Sequence, residues 1–175
     1  MKQILQNYGS DALSIAEYFN PDFLLSAHKT AEDCYFGDYP ALSQLGAKFG
    51  EGFPTVLMMI HLHDLSEYCG CKEKLFGRSL EQCARVIAND FYYLKVTELL
   101  LFFHRFKSGW YDRFYGSVDP LIITTSLRDF LRERANFIDR HEQEEKAKER
   151  ETWKKNAITY EEYVNQYKKN VLIRG

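Results

Sequence analysis

The sequence contains few residues that interrupt helices and no apolar stretch long enough to cross a membrane. Only four prolines and ten glycines occur among 175 residues, and most of them stand where one helical pattern stops and another starts. No apolar run approaches the roughly 20 residues that a membrane-spanning helix needs. The N-terminal residues are polar and lack the hydrophobic region of a secretory signal. We therefore expect a helical protein of the cytoplasm with no membrane partner.

The chain also lacks a marked excess of charge. Its formal net charge is −2, which removes the simplest argument for nucleic-acid binding, a strongly basic domain. Residues 1–80 carry six Lys and Arg against ten Asp and Glu, whereas residues 81–175 carry 17 against 15. This tilt would suit a basic face on the C-terminal half, but it is too weak to indicate one by itself. The four cysteines are expected to be reduced thiols, because no secretory signal precedes them.

Apolar and aromatic residues, in contrast, are abundant. The chain is 45% apolar and 15% aromatic, which is ample for the core of one domain and argues against global disorder. The apolar positions recur at helical spacing, and no alternating pattern extends far enough for a strand. We predict an all-α protein: an irregular multi-helix bundle of about six to eight helices with a long charged C-terminal helix.

Capping residues predict where several helices begin. Ser10 is expected to cap the first helix, Ser79 to cap a helix over residues 80–94, and Thr159 to cap a short last helix. Residues 30–39 show no clear helical pattern and are expected to form a connector.

The long C-terminal helix has an apolar side over only part of its length. Asp119 followed by Pro120 is a strong start signal, because a carboxylate cap precedes proline at the first helical position. The apolar positions then stop, and residues 142–155 are almost wholly polar. Ion pairs within one helix stabilise such a segment only weakly. We predict a helical domain over residues 1–141 and a charged helical extension over residues 142–175.

One group of residues has the side chains of a metal site but not the spacing. His61, His63, Cys69 and Cys71 are ligands that zinc accepts. Residues two apart on a helix point to opposite sides, so His61 and His63 cannot both face one ion. Buried thiols and a histidine bonded to a neighbour are the favoured interpretation, and we expect no metal and no cofactor.

The chain also lacks a recognisable catalytic motif. It contains no nucleophile elbow, no H-E-x-x-H pair and no glycine-rich phosphate loop. His61 and Asp64 lie on the same predicted helix, and His104 lies on another, but the sequence names no second catalytic group for either histidine. We expect the protein not to be an enzyme.

The loop GWYDRFYGS, residues 109–117, allows two interpretations. Gly109 stands where the left-handed residue after a helix belongs. If the rings of the loop point outward, they could stack on unpaired bases while nearby cations hold phosphates. If the rings fold back, they cap the core between the flanking helices. The loop and its flank contain the aromatic residues Trp110, Tyr111, Phe114 and Tyr115 and the cations Arg105, Lys107 and Arg113.

The long helix carries two further arginines on one side. Arg128 and Arg132 are four residues apart and lie off the apolar side. Asp129 and Glu133 interleave with them, which favours a solvated face with ion pairs over a phosphate-binding one. Arg134 falls nearer the apolar side, where it should pair with an acid or cover the core with its aliphatic stem.

A resemblance covers about a quarter of the chain. It is carried by Tyr93-Leu94-Lys95, Glu98-Leu99, Phe102-Phe103, Phe106-Lys107, Gly109, Tyr111, Tyr115-Gly116, Asp119, Ile123, Leu127, Phe130 and Glu133-Arg134. In these features residues 92–134 resemble an uncharacterised family of small helical proteins from phages and integrated elements of gut bacteria. The resemblance implies an accessory role in replication, beside DNA or a replicative helicase. Asp112 departs from it, since a glycine is expected after Tyr111.

These observations lead to two functional hypotheses. The first is a non-enzymatic helical adaptor in phage or mobile-element DNA transactions, which contacts nucleic acid or a replication protein. The second is a module for protein–protein interaction or self-assembly, including homo-oligomers, with no nucleic acid involved. The first hypothesis uses Arg105, Lys107, Trp110, Tyr111, Arg113, Arg128 and Arg132, with the cations holding phosphates or an acidic partner. The second uses the aromatic surface and the charged helical extension.

Overall fold

The protein is built from helices, as predicted. The computed structural model describes residues 8–157 and 161–164. Within these ranges the backbone forms two isolated β-bridges and no strand, which confirms the all-α prediction and the long C-terminal helix. The helices are α1 (Ala12–Tyr18), α2 (Phe23–Ser26), α3 (Ala31–Phe36), α4 (Leu42–Phe49), α5 (Phe53–Tyr68), α6 (Gly77–Asp90), α7 (Val96–Lys107) and α8 (Pro120–Asn156). No helix within the described residues combines the length and the apolar character that crossing a bilayer requires.

Helix α7 lies at the centre of the N-terminal part of the fold. Every residue from Val96 to Phe103 is buried, and so is Phe106. A helix that is apolar on all sides must be surrounded, and α7 packs against α2, α3 and α5. Helix α5 in turn packs against α4 and α6. The first turns of α8 add Ile123, Leu127 and Phe130 to this core.

A buried carboxylate joins α7 to α8. Glu98 is fully buried, and its carboxylate accepts hydrogen bonds from the backbone N–H of Lys95 at 2.9 Å and from Nε of Arg134 at 2.6 Å. The prediction that Arg134 pairs with an acid is confirmed. The Lys95 ammonium donates to the carbonyl oxygens of Tyr35 and Gly37, each at 2.7 Å, so the same cluster also holds the end of α3.

Contacts between residues divide the chain into two compact units. The boundary lies between Arg134 and Ala135, within the continuous helix α8. From residue 142 to 156 the side chains of α8 are exposed. Ion pairs form along it between Lys146 and Glu142 and between Lys148 and Glu145. The division into residues 1–141 and 142–175 stays a prediction.

Two predicted boundaries near the N-terminus were wrong. Asp11, and not Ser10, caps α1, because its carboxylate accepts the Ser14 N–H at 2.9 Å. Residues 30–39 contain helix α3 instead of being a connector throughout. Thr30 and Asp33 form a reciprocal capping box there, with aspartate at the position where glutamate is usual.

Helix α6 also differs from its prediction. It begins at Gly77, with Phe76 at the cap position, and it ends at Asp90. Ser79 therefore lies inside the first turn and does not cap the helix. The segment after Asp90 leaves the helix because α4 uses its carbonyl groups: the N–H groups of Leu42 and Ser43 donate to the oxygens of Leu94 and Tyr92. The predicted cap Thr159 lies outside the described residues.

Candidate functional site

The loop between α7 and α8 is fastened at both ends. Gly109 adopts a φ of +80° as the left-handed residue after α7, as predicted, and the Trp110 N–H donates to the Arg105 carbonyl at 3.1 Å. At the other end, the backbone of Glu73 donates to the Gly116 oxygen at 3.1 Å and accepts from the Val118 N–H at 3.0 Å. Because Glu73 belongs to the connection between α5 and α6, the loop is tied to a second part of the fold.

The rings of this loop divide between the core and the solvent. Tyr111 packs against Phe102 and Phe106, with ring centroids 5.5 and 5.8 Å apart. Phe114 stacks on Phe106 at 5.2 Å. Trp110 is 63% exposed and Tyr115 is 89% exposed. Tyr111 and Phe114 thus fold back onto the core, as one interpretation of the sequence predicted. Trp110 and Tyr115 point outward, as the other predicted.

Arg105 holds the exposed indole in place. Its side chain is only 12% exposed, and Nη1 donates to Oε2 of Glu133 at 2.8 Å and to the Tyr35 hydroxyl at 3.2 Å. The guanidinium carbon lies 4.7 Å from the centroid of the Trp110 ring, which is cation–π geometry. Arg105 thus joins α7, α3, α8 and the loop, with its charge compensated by Glu133.

The hydroxyl of Tyr111 belongs to the same cluster. It lies 3.4 Å from Oε2 of Glu133. Burial, with the nearby Glu133 carboxylate, raises the pKa of Tyr111 well above its usual range, although Arg105 opposes this. Tyr111 therefore remains a neutral donor that helps to orient the carboxylate, and it is not a group that ionises.

Lys107 lies on a different side of α7 from this cluster. Its ammonium forms an ion pair with Asp64 of α5 and lies 5.5 Å from the centroid of the Tyr68 ring. A cleft of about 370 Å³ separates the end of α5 from the loop, and Lys107 and Arg113 both line it. Cys69 and Cys71 also line this cleft, as free thiols.

The other predicted arginines lie on the surface. Arg132 forms an ion pair with Asp129 one turn before it. Arg113 and Arg128 are exposed, and within the described part of the chain neither forms an ion pair. The structure therefore brings Arg105, Trp110 and Tyr111 into one cluster and leaves the remaining cations apart from it.

A second cleft opens beside this cluster, and its charged residues are acidic. It measures about 630 Å³ and lies between the loop and the first turns of α8. Its lining residues are Trp110, Tyr111, Asp112, Leu121, Ile122, Thr125, Ser126, Asp129 and Glu133. We call it the tryptophan cleft.

Sequence reasoning missed most of this cleft. Asp129 and Glu133 were noted only as groups that weaken a basic face. Leu121 offered a signal: it is a large apolar residue in the first turn of α8 that lies off the buried side, and it is 70% exposed. The pairing of Arg105 with Glu133 had no signal, because 28 residues separate the partners.

The histidines of α5 point apart, as the helix geometry predicts. His61 is 1% exposed and stacks on Phe103 with centroids 5.7 Å apart, whereas His63 is exposed. Burial lowers the pKa of His61 to about 4, against the opposing effect of Asp64. Among the described residues no three histidine, cysteine, aspartate or glutamate side chains converge as metal ligands would.

Residues 74–171 match a family of unknown function, DUF6633. The match includes α6, α7, the loop and α8, and it extends over more than half of the chain. The chain therefore belongs to the DUF6633 family, which agrees with the predicted resemblance to an uncharacterised family. Neither a curated protein nor a solved structure matches the chain.

Proposed function

We propose that this DUF6633 protein is a non-enzymatic adaptor that binds a partner protein through the tryptophan cleft. Its setting in this proposal is the DNA transactions of phages or mobile elements, as the sequence resemblance implies, and the partner is then a replication protein. The proposal depends on one observation above all: an exposed indole held rigidly at the mouth of an acidic cleft.

The rigidity of Trp110 supports this role. Tryptophan is among the residues most enriched at the centres of protein interfaces. A side chain that is already fixed loses less conformational freedom on binding than a free one. Arg105 fixes the indole by stacking on it, and Glu133 fixes Arg105. Trp110 therefore has the properties of a preorganised anchor.

The distribution of charge favours protein over nucleic acid as the partner. A phosphate group near Trp110 would meet the carboxylates of Asp112, Asp129 and Glu133. The cations Arg105, Lys107 and Arg132 are already paired with acids. Pairing reduces the counterion release on which binding to nucleic acid depends.

The burial of His61 removes one of the two histidines considered for catalysis. The imidazole of His61 is enclosed in the core and stacks on Phe103, so no substrate can reach it. The tryptophan cleft is lined by aromatic, aliphatic, hydroxyl and carboxylate side chains. Such a composition is suited to binding a ligand.

Affinity purification from the cells that make this protein tests the proposal. The baits are the full chain, Trp110→Ala and Trp153→Ala; Trp153 is a matched control because it is also an exposed tryptophan. We expect a protein that is recovered with the full chain and Trp153→Ala and is lost with Trp110→Ala, before and after nuclease treatment. Identical recovery with all three baits would rule out the tryptophan cleft as the binding surface.

A second candidate function, nucleic-acid binding, is favoured by Arg113, Arg128 and Tyr115. The two guanidinium groups make no ion pair in the described part of the chain, and the Tyr115 ring is open to solvent. Titration with single-stranded and duplex oligonucleotides at two salt concentrations tests this candidate. Binding that weakens steeply with salt and is lost in Arg113→Gln would support it. Absence of binding at low salt would remove it.

A further inference from the structure

The tryptophan cleft also indicates the chemistry of its partner. We infer that it binds a segment of the partner protein in which a lysine or arginine enters beside Trp110 and neighbouring apolar residues lie along α6 and α8. This inference rests on the proposed function and adds to it the class of ligand and its direction.

The charged residues that line the cleft favour binding of a cation. Asp112, Asp129 and Glu133 supply three carboxylates, and no lysine or arginine is among the lining residues. Arg132 and Arg105 pair with Asp129 and Glu133, whereas within the described residues Asp112 has no ion-pair partner. A positive side chain that entered the cleft would add the missing charge near Asp112. An anion would meet uncompensated repulsion there.

The wall of the cleft suits the same kind of side chain. Lysine and arginine combine a charged end with an aliphatic stem, and both parts bind favourably against an aromatic ring. Arg105 already stacks on Trp110 at 4.7 Å but does not itself line the cleft. The part of the indole that remains exposed is available to a second cation from the partner.

An apolar groove continues from the cleft in one direction. It measures about 450 Å³ and runs between α6 and the start of α8. Leu121 lines both the groove and the cleft, so the two adjoin at this side chain. Leu121 is 70% exposed and Val86, which also lines the groove, is 43% exposed. Apolar side chains of the partner would cover these two residues.

The two ends of this surface therefore differ in chemistry. The end beside Trp110 is acidic and aromatic. The end beside Val86 is mainly apolar, and its single carboxylate, Asp119, already accepts the Leu121 N–H at 2.8 Å. A segment with a basic residue at one end and apolar residues at the other complements the two ends better in one orientation, because the cleft has three carboxylates and the groove has one. Charge complementarity sets that orientation, because reversal would place the cation on the apolar groove and leave the carboxylates facing apolar side chains.

A displayed library of random 12-residue peptides, selected on the full chain, tests the inference. We expect the selected peptides to contain lysine or arginine next to apolar residues. A synthetic copy of the strongest binder is then compared with a version in which citrulline replaces the arginine, or acetyl-lysine the lysine. Loss of the peptide's charge should weaken binding by about tenfold or more, as expected for a desolvated charge contact.

Variants of the chain locate the contact. Asp112→Asn combined with Asp129→Asn should weaken the peptide by about tenfold, and Thr125→Arg should abolish binding by placing a guanidinium group in the cleft. Leu121→Ser should weaken binding without changing its dependence on salt. Asp22→Asn combined with Asp90→Asn is the matched control, because it removes two exposed carboxylates elsewhere and should leave binding unchanged. Thermal unfolding of each variant establishes that it folds.

The ways in which the inference can fail are distinguishable. Neutral or acidic peptides that lose binding in Trp110→Ala would overturn the inference and leave the proposed function standing. Direct binding of a single-stranded oligonucleotide to the chain that is lost in Trp110→Ala would also overturn the inference, in favour of a polyanion. An absence of selected peptides, or selected peptides whose binding survives Trp110→Ala and Leu121→Ser, would contradict both.

Discussion

Glu98 shows how a single buried charge can hold several elements together. Its carboxylate is completely buried. It accepts hydrogen bonds from the Lys95 N–H at the start of α7 and from the Arg134 side chain of α8. Burying a charge is costly unless it is fully paired. Once it is paired, removal of one partner leaves the other without compensation, so the residue is expected to be sensitive to substitution.

We predict that Glu98→Ala lowers the free energy of unfolding by about 2–4 kcal/mol. The change removes the acceptor for the Lys95 N–H and leaves the guanidinium group of Arg134 unpaired. Urea denaturation measures the effect, with the exposed Glu51→Ala as the control. A loss below about 0.5 kcal/mol, as is usual for surface substitutions, would contradict the role assigned to Glu98.

His61 makes the stability dependent on pH. Its pKa is about 4 in the folded protein, against an ordinary value of 6.5, because burial disfavours the charged imidazole. Below pH 6.5 the His61 imidazole binds a proton in the unfolded chain but remains neutral in the folded chain. The free energy of unfolding therefore decreases as the pH falls towards 4. Well above pH 6.5 the imidazole is neutral in both states, and this contribution no longer changes.

We therefore expect the free energy of unfolding to fall by about 3 kcal/mol between pH 6.5 and 4 because of His61. This corresponds to the difference between the pKa of His61 in the unfolded and in the folded chain. Urea denaturation of wild type and His61→Phe across this range measures the effect. The phenylalanine variant retains the ring on Phe103 and should lose this part of the pH dependence. The exposed His63→Asn should retain it. Parallel curves for wild type and His61→Phe would refute the assignment.

At the scale of the elements, the loop between α7 and α8 depends on Arg105. We predict that Arg105→Lys costs about 1–3 kcal/mol, as expected for hydrogen bonds to charged groups, and releases Trp110 from its fixed position. An ammonium cannot reproduce the planar stacking of a guanidinium group on an indole.

Acrylamide quenching in a Trp153→Phe background reports on Trp110 alone, because the chain contains only two tryptophans. Quenching should become more efficient in Arg105→Lys. Arg128→Lys, at an exposed position without an ion pair in the described part of the chain, should change neither the quenching nor the stability. An unchanged quenching constant in Arg105→Lys would show that the loop backbone alone holds the ring.

The helices differ in how far their sequence predicted them. Helix α8 begins at Pro120, where the Asp119-Pro120 signal predicted its start. Helix α3 was missed because its box uses aspartate and because its six residues are too short for a periodic pattern. Helix α6 begins before Ser79 because its start is set by packing and by Gly77, which has a φ of +55°.

At the scale of the whole molecule, the sequence indicated three members of the cluster beside the loop, Arg105, Trp110 and Tyr111, but not the acids that pair with the predicted cations. Asp64 lies 43 residues from Lys107 and Glu133 lies 28 residues from Arg105. Partners so far apart meet only when the helices pack, so single helical patterns carry no information about them. The acidic character of the tryptophan cleft follows from that packing.

The contrast between α7 and the far end of α8 predicts a gradient in hydrogen exchange. The side chains of α7 are buried, whereas those of α8 from residue 142 to 156 are exposed. Exposed helical turns open locally at little cost. We expect slow exchange in α7 and in α8 up to Arg134, and exchange at least about 100-fold faster beyond residue 142, measured by mass spectrometry. Equal protection along all of α8 would contradict the predicted extension.

The short pairing of Glu73 with Gly116 and Val118 has a consequence for how the protein meets other molecules. It fastens the C-terminal end of the loop, while Tyr111 and Phe114 pack against the core, so in the proposed complex the loop has little freedom to change its shape. The partner would then have to adapt its own conformation, which a flexible peptide segment can do more readily than a folded domain.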